Sequence, residues 1–67
     1  MASLQRILPT FENIPVSDRF TATQILNKFV KDENISPENI DLKVNRDIPG
    51  KTIELWKFNN TVYKLVF

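Results

Sequence analysis

Two apolar runs, Lys51-Thr-Ile-Glu-Leu-Trp-Lys-Phe58 and Thr61-Val-Tyr-Lys-Leu-Val-Phe67, stand on either side of Asn59-Asn60. Asparagine tolerates positive φ, so two asparagines between β-prone runs predict a tight hairpin. Side chains alternate across a strand. Ile53, Leu55, Val62 and Val66 then fall on one face, and Trp56, Phe58, Tyr63, Leu65 and Phe67 on the other. Both faces are apolar. A chain of 67 residues can build only one small core, and a single helix cannot cover both sides of a sheet. Either one face of the hairpin meets a partner, or residues 52–58 are not a strand throughout.

The one strong helix signal is Thr21-Ala-Thr-Gln-Ile-Leu-Asn-Lys-Phe-Val-Lys-Asp-Glu-Asn34, in which Ala22, Ile25, Leu26, Phe29 and Val30 recur at the spacing of one helical face. Thr21 is the expected N-cap, Gln24 its capping-box partner, and Phe20 a hydrophobic staple onto Ile25. Phe29, central on the stripe, is expected in the core. Ahead of the helix, residues 4–8 and 14–16 read as two short strands joined by a turn, with a helix over residues 3–8 as the rival. Pro15 limits the second piece to a short or edge strand. After the helix, Ile35-Ser-Pro-Glu-Asn-Ile-Asp-Leu-Lys-Val44 can be read in two ways. Ser36, Pro37 and Glu38 suit the first turn of a helix, while Ile40, Leu42 and Val44 alternate like a strand.

Composition narrows the chemistry. The chain has no cysteine and no histidine, which excludes disulfides, thiolate or imidazole metal sites, and catalysis by either residue. No cofactor is expected. A small cysteine-free chain fits a reducing, intracellular setting, cytoplasmic or nuclear. Apolar runs are only a few residues long, and no basic start leads into an apolar stretch, so neither a membrane span nor a signal peptide is expected. Nine basic residues against eight acidic ones, scattered along the chain, make a poor footprint for nucleic acid. Asp41, Asp47 and Glu54 read as solvated surface carboxylates rather than an acid–base site. Trp56 and Tyr63 read as core anchors before they read as a base-stacking platform.

From Thr21 to Val44 the chain resembles ubiquitin and its relatives. A threonine-started amphipathic helix ends at Asp32-Glu33, and Ile35-Ser36-Pro37-Glu38 stands where ubiquitin has Ile-Pro-Pro-Asp. The alternating segment Ile40 to Val44 follows. Thr52-Ile53, Trp56 and Phe58 are similar to a short helical turn that precedes the last strand in these folds. Trp56-Lys57 and Tyr63 resemble the ubiquitin-like domains of Polycomb RING-finger and WD-repeat deubiquitinase-activator proteins. The resemblance implies one α+β domain over residues 1–67, a β-grasp with a mixed sheet packed on one amphipathic helix. Its first strand would run parallel to its last. The proline segment would be a turn, Ile40 to Val44 the third strand, and Ile53, Trp56 and Phe58 would all point inward, which removes the two-faced hairpin. Pro9 and Pro15 interrupt the first hairpin, and no Gly-Gly follows Phe67, so conjugation as a modifier is not implied. Lys43 replaces an apolar position of ubiquitin's recognition patch, so ubiquitin-receptor binding is not implied either.

The function expected on this basis is a non-enzymatic protein–protein interaction module that meets another protein through its sheet face or an edge strand. Lys43, Lys64 and Val66 are the candidate partner-binding residues, and Lys43, Lys57 and Lys64 can share one face against an acidic partner. The alternative is a small winged-helix DNA-binding domain. Residues 37–46 would be its recognition helix, Asn59-Asn60 its wing tip, and Lys43 and Arg46 its DNA contacts.

Overall fold

The computed structural model describes residues 2–67. Five strands and one helix follow in the order β1 (Ser3–Leu8), β2 (Glu12–Ile14), α1 (Arg19–Asp32), β3 (Asp41–Asn45), β4 (Ile53–Phe58) and β5 (Thr61–Val66). A single 3-10 turn at Pro37–Asn39 precedes β3. The strands form one sheet in the order β2-β1-β5-β4-β3, and every neighbouring pair is antiparallel. The domain is a small α+β sandwich of sheet and helix.

Each turn is written locally. Asn59 and Asn60 both have positive φ, 50° and 58°, the type I′ geometry that matches the twist of paired strands. Between β3 and β4, Ile48-Pro49-Gly50-Lys51 makes a type II turn. Pro49 occupies the second position, Gly50 supplies φ of 78°, and the Lys51 amide donates to the Ile48 carbonyl at 3.1 Å. The helix ends in a Schellman motif: Asn34 is left-handed at φ 57°, its amide donates to the Lys31 carbonyl, and the Ile35 amide donates to that of Val30. Ile35 and Val30 then both pack on the core.

The helix begins three residues earlier than a Thr21 cap implies. Asp18 is the N-cap, and its carboxylate accepts the Thr21 amide at 2.7 Å. That bond holds the Asp18 carboxyl below its ordinary value, with the Thr21 backbone amide as the largest cause. Thr21 is therefore capped rather than capping, Gln24 has no capping role, and Phe20 lies inside the first turn with 70% of its surface exposed, not stapled to Ile25. Asp18 prevails because an ionised carboxylate accepts an amide proton better than a hydroxyl does.

The apolar stripe meets the sheet over β1 and β5. Ala22 and Leu26 are fully buried with Leu4 and Leu65, and Phe58 and Tyr63 complete the core. Phe29 is half-buried and stacks on Tyr63 at 5.4 Å, while Phe58 stacks on the same ring at 5.6 Å. Tyr63 is thus a core anchor, and its burial raises the phenol above its ordinary value, against a smaller opposing effect of Arg6. Residues 3–8 form a strand and not the rival helix. β2 covers Glu12–Ile14 and stops before Pro15, three residues at the sheet edge instead of the expected 14–16.

Two expectations fail for one reason. Residues 53–58 are a regular strand paired with both neighbours, not a helical turn, so Ile53 faces away from Trp56 and Phe58. That strand adds a reversal to the chain path. β3, entered by a crossover from β2, runs in the direction of β2; two further reversals bring β5 back to that direction, opposite to β1. The sheet is therefore antiparallel and not the mixed sheet of a β-grasp, although β1 and β5 do lie side by side, with Leu4 opposite Leu65. The recognition helix of a winged-helix domain is not formed either, since residues 41–45 are strand and Arg46 sits in the loop beyond it.

Candidate partner-binding surface

In an antiparallel sheet directly opposed residues share a face. The register therefore fixes the outer face, the one turned away from α1. One row runs Lys43, Leu55, Lys64, Gln5; the next runs Asp41, Lys57, Val62, Leu8; the third runs Asn45, Ile53, Val66, Ser3. A one-residue bulge at Ile7 in β1 turns Leu8 onto this face opposite Val62. Ile53, Leu55, Val62 and Val66 make an apolar cluster about Lys64, and among the described residues no element lies over it. Leu55 keeps 38% of its surface exposed between Lys43 and Lys64.

The three lysines nominated from the sequence are thus brought together. Lys43 and Lys64 flank Leu55 in one row, Lys57 stands in the adjacent row, and Val66 lies beside Ile53. Asp41 is the carboxylate on this face, at its β3 corner. Two shallow depressions of about 180 Å³ and about 400 Å³ lie on either side of Lys43, both bordered by Leu55. Lys64 stands among Leu55, Val62 and Val66, and Lys43 and Lys57 lie toward the β3 side, so apolar and cationic side chains interleave across this face. The sequence already contained this face as the alternation Ile53, Leu55, Val62 and Val66. What it lacked was the register that sets Leu55 against both Lys43 and Lys64.

The helix side of the sheet carries a network that sequence reasoning missed. Glu54 is only 7% exposed. Its carboxylate accepts the Trp56 indole N–H at 3.1 Å and faces the Arg19 guanidinium at 3.7 Å. Arg19 in turn lies 4.4 Å from the centre of the Phe67 ring. These contacts satisfy a buried charge and fasten the start of α1 to the far half of the sheet. Asp41 and Glu54 lie on opposite faces and Asp47 in the loop after β3, so the three carboxylates weighed in the sequence do not converge. Among the described residues there is no group of three or more acidic side chains able to hold a metal ion, and no helix long and apolar enough to cross a membrane.

No protein-family model, curated protein or solved structure matches the chain.

Proposed function

We propose that the chain is a non-enzymatic interaction module that binds another protein through the outer face of its sheet. The observation that carries this is the second apolar face of the β4–β5 hairpin: among the described residues no element covers Ile53, Leu55, Val62 and Val66, and Lys43, Lys57 and Lys64 are interleaved with them. A sheet face meant only for water places polar residues there. Its lysines favour a partner whose carboxylates alternate with apolar side chains. The ubiquitin-like resemblance lends support through the order of helix, proline turn and third strand, while the antiparallel β1–β5 pairing counts against carrying more from that family. A reducing compartment suits the cysteine-free sequence.

The test uses a synthetic amphipathic peptide of alternating glutamate and leucine as probe. Its titration into the isotopically labelled chain should shift the amide resonances of Lys43, Leu55, Lys64 and Val66, and Leu55→Glu or Lys64→Glu should abolish the shifts while leaving the circular dichroism unchanged. Shifts confined to α1 or β2, or binding that survives both substitutions, would overturn the assignment.

A further inference from the structure

The sheet has two edges, and they are treated differently. β2 is three residues long with Pro9 and Pro15 close to either end, which leaves little ladder for another strand to extend. β3 carries no such protection. Its five residues pair with β4 in unbroken register, contain no proline or bulge, and are all exposed. Ile40 before it is already extended, at φ −97° and ψ 119°. The helix covers β1 and β5 and does not reach over this edge, so on the helix side Leu42 is 46% and Val44 42% exposed. Among the described residues neither Asp41 nor Lys43 is held in an ion pair.

The order of residues along this edge selects an occupant. Ile40-Asp-Leu-Lys-Val44 is self-complementary about Leu42: apolar positions mirror apolar ones, and the acid at 41 is matched by the base at 43. We propose that a second copy of this chain pairs antiparallel with β3 about a two-fold axis through Leu42. Leu42 then faces Leu42 of the second copy, Ile40 faces its Val44, and Asp41 faces its Lys43, each of the last two contacts occurring twice. Opposed side chains in such a ladder touch, and opposite charges placed there attract. The other two-fold registers are poorer. Centring on Lys43 opposes two lysines, and centring on Val44 sets Lys43 against Asn45 and Leu42 against Arg46. In the Leu42 register the apolar contacts close on the helix side and the ion pairs on the outer face. The product is a continuous ten-stranded sheet in which the two outer faces adjoin. This pairing does not rest on the function proposed above, since Leu55→Glu leaves the β3 edge intact.

Charge exchange tests the register with the full chain. Sedimentation velocity over a concentration series should show a reversible dimer for the wild type. Asp41→Lys and Lys43→Asp each turn two attractive pairs into two repulsive ones and should weaken the dimer roughly 10–100-fold. Mixing the two single variants restores both attractive pairs and should give a heterodimer, and the double variant D41K/K43D should dimerise like the wild type. All four proteins keep the helix-side core, so Trp56 fluorescence should be unchanged between monomeric forms. A wild type that stays monomeric throughout the series, or single variants that dimerise as it does, or a mixture that remains monomeric, would overturn the proposal.

Discussion

Leu26→Ala separates the two faces of the sheet by stability. Leu26 has no exposed surface and sits with Leu4, Leu65 and Ala22 in the core cluster, on the one α-helix among the described residues. Trimming its isobutyl side chain to a methyl forfeits the transfer energy of the lost carbons and opens a void between elements that cannot collapse onto one another. Buried leucines of this kind cost about 2.7–5 kcal/mol when cut to alanine. A domain of this size has a total stability of about 3–10 kcal/mol, so Leu26→Ala should remove a large part of it. Leu55→Ala deletes the same atoms from the outer face, where the side chain is partly wet and nothing lies above it to frame a cavity. Its cost should stay at about 1–2 kcal/mol, the buried part of the full burial value with no cavity added. Urea titrations followed by Trp56, the only tryptophan, give both numbers from the midpoint and slope. Equal losses at Leu26 and Leu55 would mean that the outer face is itself packed, and would refute the assignment of a free surface.

Three further outcomes follow from local chemistry. The Asp18 carboxyl binds its proton less tightly in the folded chain than in the unfolded one, so its stabilising effect is complete above the ordinary value of 3.8 and is lost as pH falls through the lower folded value; Asp18→Asn should keep the cap and flatten this part of an acid-unfolding profile. Tyr63, the only tyrosine, should ionise above 10.0 when followed by phenolate absorbance, and because its folded value is raised, stability should decline as pH climbs past 10.0. At the hairpin tip, Asn60→Gly should hold or raise the melting temperature, whereas Asn60→Val forces a branched side chain to φ of 58° and should cost about 1–2 kcal/mol.

What could be read from the sequence was whatever depends on neighbours in the chain. The stripe Ala22-Ile25-Leu26-Phe29-Val30, the alternation Ile40-Leu42-Val44 and the Asn59-Asn60 turn each became the element their spacing implies. Choices between near-equal local options were less legible. Asp18 and Thr21 are both good cap residues three positions apart, and only the carboxylate bond of 2.7 Å decides between them. Strand direction was illegible for a different reason: it turns on whether residues 53–58 are strand or turn, and one such decision reverses β5 relative to β1. Glu54 looked solvated because charge usually is. Its burial depends on Trp56 two positions along and on Arg19 from a distant helix, which no local pattern contains. In the candidate surface, Lys43, Lys64 and Val66 share a face because three ladders fall into particular registers, and registers are settled by packing across the sheet.

The pairing of Ser3 with Val66 joins opposite ends of the described chain, and it orders assembly in time. β3, β4 and β5 are a meander whose contacts span a short turn and a short loop, so each closes at small entropic cost. β1 must instead find β5 across some sixty intervening residues, the most non-local step in the molecule and the one expected to set its folding rate. Until that ladder closes, β5 is a second open edge beside apolar side chains. A nascent or transiently opened chain therefore offers two templates for strand addition where the finished domain keeps one, and slow closure of β1 exposes it to self-association through the wrong strand.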